Sequence, residues 1–196
     1  MTISLKDHLR TRKSHPIAQL AEPGPDDSQI AELVAMASRV PDHGKLQPWR
    51  FILYRGAARH AIGEHLAERY AEVLGRDLTP GEQDKERTRF SRAPVVIGVV
   101  SVPRDNPKIP QWEMFLSAGA AAMNLLHAAH ALGFGANWIT NWYADDAKAR
   151  AMLGLAPGER AVGFVHIGTP QGEGPDRPRP DVPAILSEYS GPRGEG

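Results

Sequence analysis

Residues 94–101, Pro-Val-Val-Ile-Gly-Val-Val-Ser, form an almost uninterrupted apolar run. Successive side chains of a β-strand point to opposite faces of its sheet, so a strand that is apolar throughout is covered on both faces. We therefore predict that these residues form a strand in the middle of a sheet.

Three further stretches, rich in β-branched and aromatic residues, are predicted to be strands: residues 50–55, 136–140 and 161–167. Apolar residues at helical spacing predict the helices. These are a short helix around residues 5–9, one from the capping residues 26–28 to residue 38, and those at 57–74, 81–89, 113–132 and 144–153. Four strands interleaved with helices predict an α+β sandwich.

The charge balance and the lack of cysteine exclude several classes of function. Basic and acidic side chains both number 23, so no overall charge favours nucleic acid or an anionic membrane as a partner. The sequence has no cysteine, which excludes disulfides, thiolate metal sites and thiol catalysis. Lys6 and Asp7 stand where a signal peptide needs an apolar core. The longest mainly apolar stretch, residues 118–135, is interrupted by Asn124, His127 and His130 and is therefore a poor candidate for a membrane-spanning helix. We therefore expect a cytoplasmic protein that does not span a membrane.

The length of 196 residues fits one domain, which we place at residues 1–170. Beyond it the composition changes to Pro, Gly, Arg and Asp, which predicts an extended or disordered tail over residues 171–196. Residues 75–92 are dense in charge, and the helix within them is predicted to be solvated.

The helix predicted at residues 113–132 is rich in small side chains, with Gly119 followed by three alanines. Small residues let another backbone come close. Two neighbours suit such a helix: a second copy of the chain in a dimer, or the chain's own sheet. The helical pattern by itself leaves both open.

The segment from Arg39 to Phe51 concentrates polar chemistry on a stiff loop. Pro41 and Pro48 restrict the backbone, while Gly44 permits a turn or close contact with a ligand. Polar side chains on such a frame lose little entropy on binding. An ordinary surface connection between a helix and a strand is the alternative interpretation.

Other motifs carry little chemistry. His127 and His130 lie three residues apart on one helix, but no third ligand stands at a suitable helical spacing, so we predict no metal site. The Gly133-Phe134-Gly135 string follows a helix and lacks the third glycine of a dinucleotide fingerprint. No nucleophile elbow or P-loop occurs.

What remains is a set of cations on separate loops, joined by two short polar groups: Arg12, Lys13, Arg39 and Lys45, with Ser14 and His43. Such a set suits a phosphorylated cofactor with a polar ring edge.

Five motifs in register resemble those of the FMN-dependent nitroreductase family. They are Arg12-Lys-Ser14, Arg39-x-Pro-x-His-x-x-x-Gln-Pro-Trp49, Trp112-Glu113 leading to Ser117-Ala-Gly119, Gly133-Phe-Gly-x-x-Trp138, and Gly163-Phe-x-x-x-Gly-Thr-Pro170. Each motif is loose, but the five together are specific. The chain is most similar to the short bacterial members described as NAD(P)H nitroreductases. This resemblance implies an α+β sandwich around a mostly antiparallel sheet, assembled as a homodimer with FMN at the interface.

The resemblance assigns the FMN contacts to three regions of the sequence. The phosphate and ribityl region would be held by Arg12, Lys13 and Ser14, and the ring would be lined by Trp138, Ile139 and Thr140 through their backbone, with Gly168 nearby. The loop of the other protomer would contribute Arg39, His43, Lys45 and Gln47. The nicotinamide entrance would be bordered by Ala128, Ala129, His130, Ala131, Leu132 and Gly133.

The chain departs from the family pattern at two places. Many relatives carry a basic residue where this chain has Pro16, and many carry Ser and Asn where it has His43 and Lys45. We expect Lys45 to supply the missing positive charge near the ring. Arg177 and Arg179 in the tail are expected to be solvated, although they could reach a phosphate.

The function implied is an oxidoreductase in which FMN takes hydride from NADH or NADPH and reduces a small organic acceptor such as a nitro compound, in a ping-pong scheme. FMN carries the chemistry, so no catalytic side chain is predicted. Two alternatives stay open: reduction of an enone or quinone, and a dimeric module that binds a flavin or another small molecule without turnover.

Overall fold

The computed structural model describes residues 4–192, and in them five strands form one antiparallel sheet. The strands are β1 (Leu20–Ala21), β2 (Trp49–Arg55), β3 (Val95–Ser101), β4 (Gly135–Ile139) and β5 (Arg160–Pro170). β3 lies between β2 and β5, and β5 also pairs with β4 and β1. The two-residue strand β1 was not predicted because it is too short to show any periodicity.

The position of β3 confirms the prediction from its apolar run. All seven of its residues are buried, and both of its edges are paired. Gly98 leaves room for neighbouring rings, because a Cβ there would lie 3.1 Å from the ring of Tyr54 and 3.4 Å from that of Phe164.

Seven helices surround this sheet in the described part of the chain. They are α1 (Leu5–Thr11), α2 (Asp27–Ala37), α3 (Ala57–Leu74), α4 (Pro80–Arg87), α5 (Gln111–Ala131), α6 (Ala147–Met152) and α7 (Val182–Ile185). The predicted cap of α2 is confirmed, since Asp26 and Gln29 form a reciprocal capping box. No helix in residues 4–192 has the length and apolar content that crossing a membrane requires.

Two hydrophobic cores fill the space on the two faces of the sheet. One core joins α2 and α5 to the face that carries Ile97 and Val99. The other surrounds Phe90 and Phe164 on the opposite face, where it meets α3 and α6. This two-sided packing confirms the α+β sandwich.

The helix predicted in the charged segment at residues 75–92 is mostly solvated, as expected, but the segment also buries three residues. Glu86 is 1% exposed and Arg89 is 6% exposed, and Phe90 is fully buried. The carboxylate of Glu86 accepts two hydrogen bonds from the Arg89 guanidinium, at 2.7 and 2.5 Å, and a third from the indole of Trp142 at 3.0 Å. Burial is possible because each charge is paired, which a count of charges along the sequence cannot reveal.

Most of residues 171–192 are exposed and lie outside regular structure, apart from α7. Gly174 is buried against the chain that follows α1, where a Cβ would lie 3.0 Å from the carbonyl oxygen of Ser14. Residues 193–196 of the predicted tail lie outside the described residues.

Candidate functional site

A group of cations gathers where α1 ends, and Arg12 is at its centre. The Nε atom of Arg12 is buried without a hydrogen-bond partner, and its Nη2 donates weakly to the Ser14 hydroxyl at 3.4 Å. Arg179 donates to the carbonyl oxygen of Arg12 at 3.4 Å. Partial burial and then the charges of Arg179 and Arg177 lower the pKa of Arg12. The tail therefore adds two cations near Arg12, and both stay exposed, as the sequence predicted.

The carboxylates of this region are already paired with other cations. Glu173 contacts Lys13 at 3.5 Å, and Asp176 contacts Arg179 at 3.0 Å. In residues 4–192, no carboxylate forms an ion pair with Arg12. An unpaired guanidinium with a buried, unsatisfied N–H is suited to binding an anion such as a phosphate group.

The segment after Arg12 is fixed against β4. The backbone N–H of His15 donates to Ala136 at 3.1 Å, and the Asn137 side chain donates to the His15 carbonyl at 2.5 Å. Gly135 makes this contact possible, because a Cβ there would lie 3.1 Å from the His15 ring. Gly168 pairs with Gly135 across the sheet. The structure thus fixes the segment that follows Arg12, Lys13 and Ser14 against β4, the strand that pairs with Gly168.

Trp138 and the residues after it lie along an edge of the sheet. The indole of Trp138 turns onto β5 and donates to the Val162 carbonyl at 3.3 Å, over Gly163, where a side chain would collide with it. Within the described residues β5 is the one strand that pairs with β4, and the His15 N–H occupies the Ala136 carbonyl on the other edge, which leaves the backbone of Trp138 on that edge without a strand partner. Ile139 is half-buried and Thr140 is exposed. Trp138, Ile139 and Thr140 could therefore contact a ligand through their backbone groups.

The last two turns of α5 border a cavity of about 650 Å³ between α1, α2 and α5. Ala128, His130, Ala131 and Gly133 line it on one side, and Arg39 lines it on another. These are four of the six residues predicted to border the nicotinamide entrance. Of the other two, Ala129 is buried in the core and Leu132 packs against it.

Four histidines meet beside this cavity, of which the sequence pattern linked only two. The Nε2 atom of His8 lies 2.7 Å from Nδ1 of His127, and the His8 ring lies 5.4 Å from the His130 ring. The rings of His15 and His130 are 5.9 Å apart. No three histidine or acidic side chains of residues 4–192 are arranged to hold a metal ion. Only tertiary contacts bring α1 and α5 together, so helical spacing could not find this cluster.

The loop between α2 and β2 is held by side chains along one length of α5. Glu113 contacts Nδ1 of His43 at 2.7 Å, Ser117 donates to the Pro41 carbonyl at 2.7 Å, and Asn124 donates to the Arg39 carbonyl at 2.9 Å. Three anchors on one rigid helix give the loop a defined shape.

The backbone of this loop adopts left-handed conformations that residues other than glycine rarely adopt. Gly44, Lys45 and Gln47 have φ values of +71°, +54° and +48°. The carboxylate of Asp42 accepts hydrogen bonds from the N–H groups of Leu46 at 3.1 Å and Gln47 at 2.8 Å, which compensates for this strain. Strain retained in an anchored loop is typical of a binding surface.

One chain does not bring the two halves of the predicted site together. His43 contacts Glu113 near the start of α5, and the histidine cluster lies near its end at His130. Seventeen residues of helix separate Glu113 from His130, which is about 25 Å at 1.5 Å per residue. Arg39 is the one member of the loop set that borders the cavity near Arg12.

The Ser117 anchor can be tested by removing its hydroxyl. The buried Ser117 also accepts a hydrogen bond from the indole of Trp49 at 3.2 Å, so Ser117→Ala leaves a carbonyl and an N–H unpaired. We expect a loss of about 1–3 kcal/mol in unfolding free energy and faster hydrogen exchange at Leu46 and Gln47. Ser187→Ala, in the exposed tail, is the control. Unchanged exchange in the loop would show that Ser117 does not anchor it.

The comparisons with known proteins agree on one family. The sequence pattern of the nitroreductase family matches residues 9–169. The protein is 36% identical over 154 residues to the Escherichia coli K12 protein named Putative NAD(P)H nitroreductase YdjA, which covers 79% of this chain and 82% of that relative.

Solved structures show the same fold. A nitroreductase-like protein from Bacillus cereus superposes with a TM-score of 0.80 at 22% identity, over 97% of this chain and 98% of that one. A nitroreductase from Desulfovibrio desulfuricans, solved in complex with FMN, superposes with a TM-score of 0.71 at 23% identity, over 95% and 97%. The sequence match, the relative and the shared fold establish that this chain belongs to the nitroreductase family.

Proposed function

We propose that the chain is an FMN-dependent oxidoreductase that uses NADH or NADPH to reduce a small organic acceptor such as a nitro compound. The observation that carries this proposal is Arg12, which has no ion-pair partner in residues 4–192 and stands three residues before His15, the residue bonded to the edge of β4. That arrangement offers a charge for a phosphate and backbone groups for the rim of a flat ring. The NAD(P)H in the name of the Escherichia coli relative and the FMN bound by the Desulfovibrio structure support it.

The chain's own residues would bind and orient the two cofactors. Arg12, Lys13 and Ser14 would hold the FMN phosphate and ribityl group, aided by Arg177 and Arg179, while the backbone of Trp138, Ile139 and Thr140, with Gly168, would face the ring. When bound, FMN supplies the chemistry, accepting hydride from NAD(P)H and reducing the acceptor. The end of α5 would border the entrance for NAD(P)H and then the acceptor, which use one site in turn.

We also propose that the enzyme is a homodimer. One face of α5 carries Trp112, Leu116 and Ala120 at helical spacing, and the first two are 63% and 62% exposed. A Cβ at Gly119 would meet no atom within 4 Å. The opposite face of α5 packs against the chain's own sheet. The helix can therefore contact both neighbours that its small residues suggest, the sheet and a second copy of the chain. A second copy on the free face would also bring His43, Lys45 and Gln47 to a flavin held by the first.

Mixed chains test this shared site. Chains altered by Arg12→Ala and by Gln47→Ala should each bind FMN weakly, because each lacks a contact from one half of every site. Refolded together, they should regain about one normal site in each mixed dimer, which flavin absorbance would measure. If mixing restores nothing while a monomer binds FMN, the site is not shared.

Lys45 is our candidate for the cation that stabilises the reduced flavin. It stands in the anchored loop at φ +54°. Where many relatives have a basic residue, this chain has Pro16, which carries no charge. We expect Lys45→Met to retain FMN while lowering its midpoint potential by tens of millivolts, since about 1.4 kcal/mol corresponds to about 30 mV for two electrons. Lys108→Met, in another exposed loop, is the control. A parental potential in Lys45→Met would refute this role.

Purified protein tests the function directly. The enzyme should be yellow, and its colour should bleach anaerobically with NADH or NADPH and return when a nitro compound is added. A yellow protein that resists both nicotinamides would instead be a flavin-binding module without turnover. Return of colour with a quinone or an enone, but not with a nitro compound, would reassign the acceptor.

A further inference from the structure

The four-histidine cluster lies next to the anion site and is placed to respond to its charge. His8 is on α1, His15 is on the segment that follows it, and His127 and His130 are on the last turns of α5. The His8 and His127 rings are 5.0 Å apart, and an N–H of one imidazole donates a hydrogen bond to a ring nitrogen of the other. Both ring nitrogens of His130 and Nδ1 of His15 are buried without a partner.

The charged groups around the cluster are mostly cations. Arg12 and Lys13 face it from the segment after α1, Arg177 and Arg179 approach Arg12 from the tail, and Arg39 faces the cavity from the end of α2. The nearby carboxylates have other partners: Asp7 bonds to Ser4, Glu173 to Lys13 and Asp176 to Arg179. In the described residues no acidic group contacts any of the four imidazoles.

These surroundings favour the neutral form of the imidazoles. Burial is the main cause that lowers the pKa of each of the four, and the charge of Arg12 further lowers the pKa of His8, His127 and His130. For His130 the pKa falls to about 4. An anion paired with Arg12 would cancel part of this repulsion and attract a proton to the cluster.

We propose that the four histidines form a proton-binding site coupled to the anion site at Arg12, so that occupancy by a phosphate group and protonation of the cluster favour one another. This inference rests on the proposed function, since the phosphate it names is that of FMN. The proton comes from the solvent, and no bond other than N–H is made. Because coupling is reciprocal, flavin should bind with proton uptake, and lower pH should favour flavin retention.

The same cluster gives a defined sign to the stability of the flavin-free protein. Each histidine has a lower pKa in the folded chain than in the unfolded chain, so below about pH 6.5 the unfolded chain binds more protons. Stability is therefore lost as the pH falls, and protonation loosens the packing of α1 on α5. A bound anion opposes this loss and ties the order of α1 to the flavin.

Calorimetry measures the coupling directly. FMN is titrated into the flavin-free protein at pH 6.5 in buffers of different ionisation enthalpy, which gives the number of protons taken up. We expect uptake of roughly half a proton or more in the parental chain, because pH 6.5 is the ordinary pKa of histidine. His127→Leu should reduce the uptake by at least half, whereas His65→Leu, on the exposed surface of α3, should not change it.

A second measurement needs no variant. The Cε1 protons of the parental protein are followed by NMR against pH, with and without FMN, and at least two of the four cluster histidines should titrate at higher pH with FMN bound. If FMN binds, the parental chain and His127→Leu take up the same number of protons, and the histidine titrations are the same with and without FMN, the coupling is refuted and the proposed function stands. If FMN does not bind at all, the proposed function fails and the inference fails with it.

Discussion

Arg12→Ala is expected to weaken FMN binding by about ten- to a hundredfold. A hydrogen bond to a charged group contributes about 1.5–3 kcal/mol, and each 1.4 kcal/mol is about tenfold in a dissociation constant. Arg12 is the cation of its group with a buried N–H that lacks a partner, and no ion pair competes for it within residues 4–192. A phosphate would meet it without first breaking another contact.

Two comparisons separate the role of Arg12 from a general effect of charge. Arg10→Ala, on the exposed surface of α1, removes the same charge two residues away and should leave the flavin titration unchanged. Arg12→Lys keeps the charge but loses the planar pair of donors, so its affinity should fall between the other two. Equal flavin affinity in Arg12→Ala and Arg10→Ala would remove Arg12 from the site.

Arg89→Met is expected to cost about 3–5 kcal/mol of unfolding free energy, which is the usual effect of removing one partner of a buried ion pair. Arg89 and Glu86 are almost fully buried, and the guanidinium also lies 5.7 Å from the centre of the Tyr143 ring. Without Arg89, the carboxylate of Glu86 retains only the indole N–H of Trp142. Its charge would then be buried and largely uncompensated.

Arg87 offers a matched control for Arg89, because it pairs with Glu64 at 2.7 Å on the surface of the same segment. Both of those side chains are about half exposed, so Arg87→Met should cost less than about 1 kcal/mol. Urea denaturation at equal protein concentration measures both. The double variant Glu86→Gln with Arg89→Met should recover part of the loss, since it buries no unpaired charge. Similar losses for the two single variants would show that the buried pair does not support the fold.

The loop between α2 and β2 shows how much of a local conformation can be predicted from sequence. Its prolines and Gly44 predicted a stiff turn, and the structure adds the left-handed backbone of Lys45 and Gln47. No local pattern announces those two conformations, because they depend on hydrogen bonds to Asp42 and on anchors from α5. The anchoring residues Glu113, Ser117 and Asn124 look like ordinary positions of a long helix until the loop is seen against them.

Local pattern by itself determined the order and type of the main elements. The apolar run at residues 94–101 determined the central strand, helical spacing determined α2, α3 and α5, and motifs in register determined the family. These features follow from periodicity and from backbone preferences, which act over a few residues.

Only the tertiary structure decided which distant side chains meet. It brought four histidines together, buried Glu86 with Arg89, and carried Arg177 and Arg179 from the tail to Arg12. Each of these contacts joins separate elements or depends on burial. In the sequence alone, each of these charged or histidine residues would fit an exposed position equally well. The free energy of a charged or polar side chain depends on its partners and on its access to water, and folding sets both.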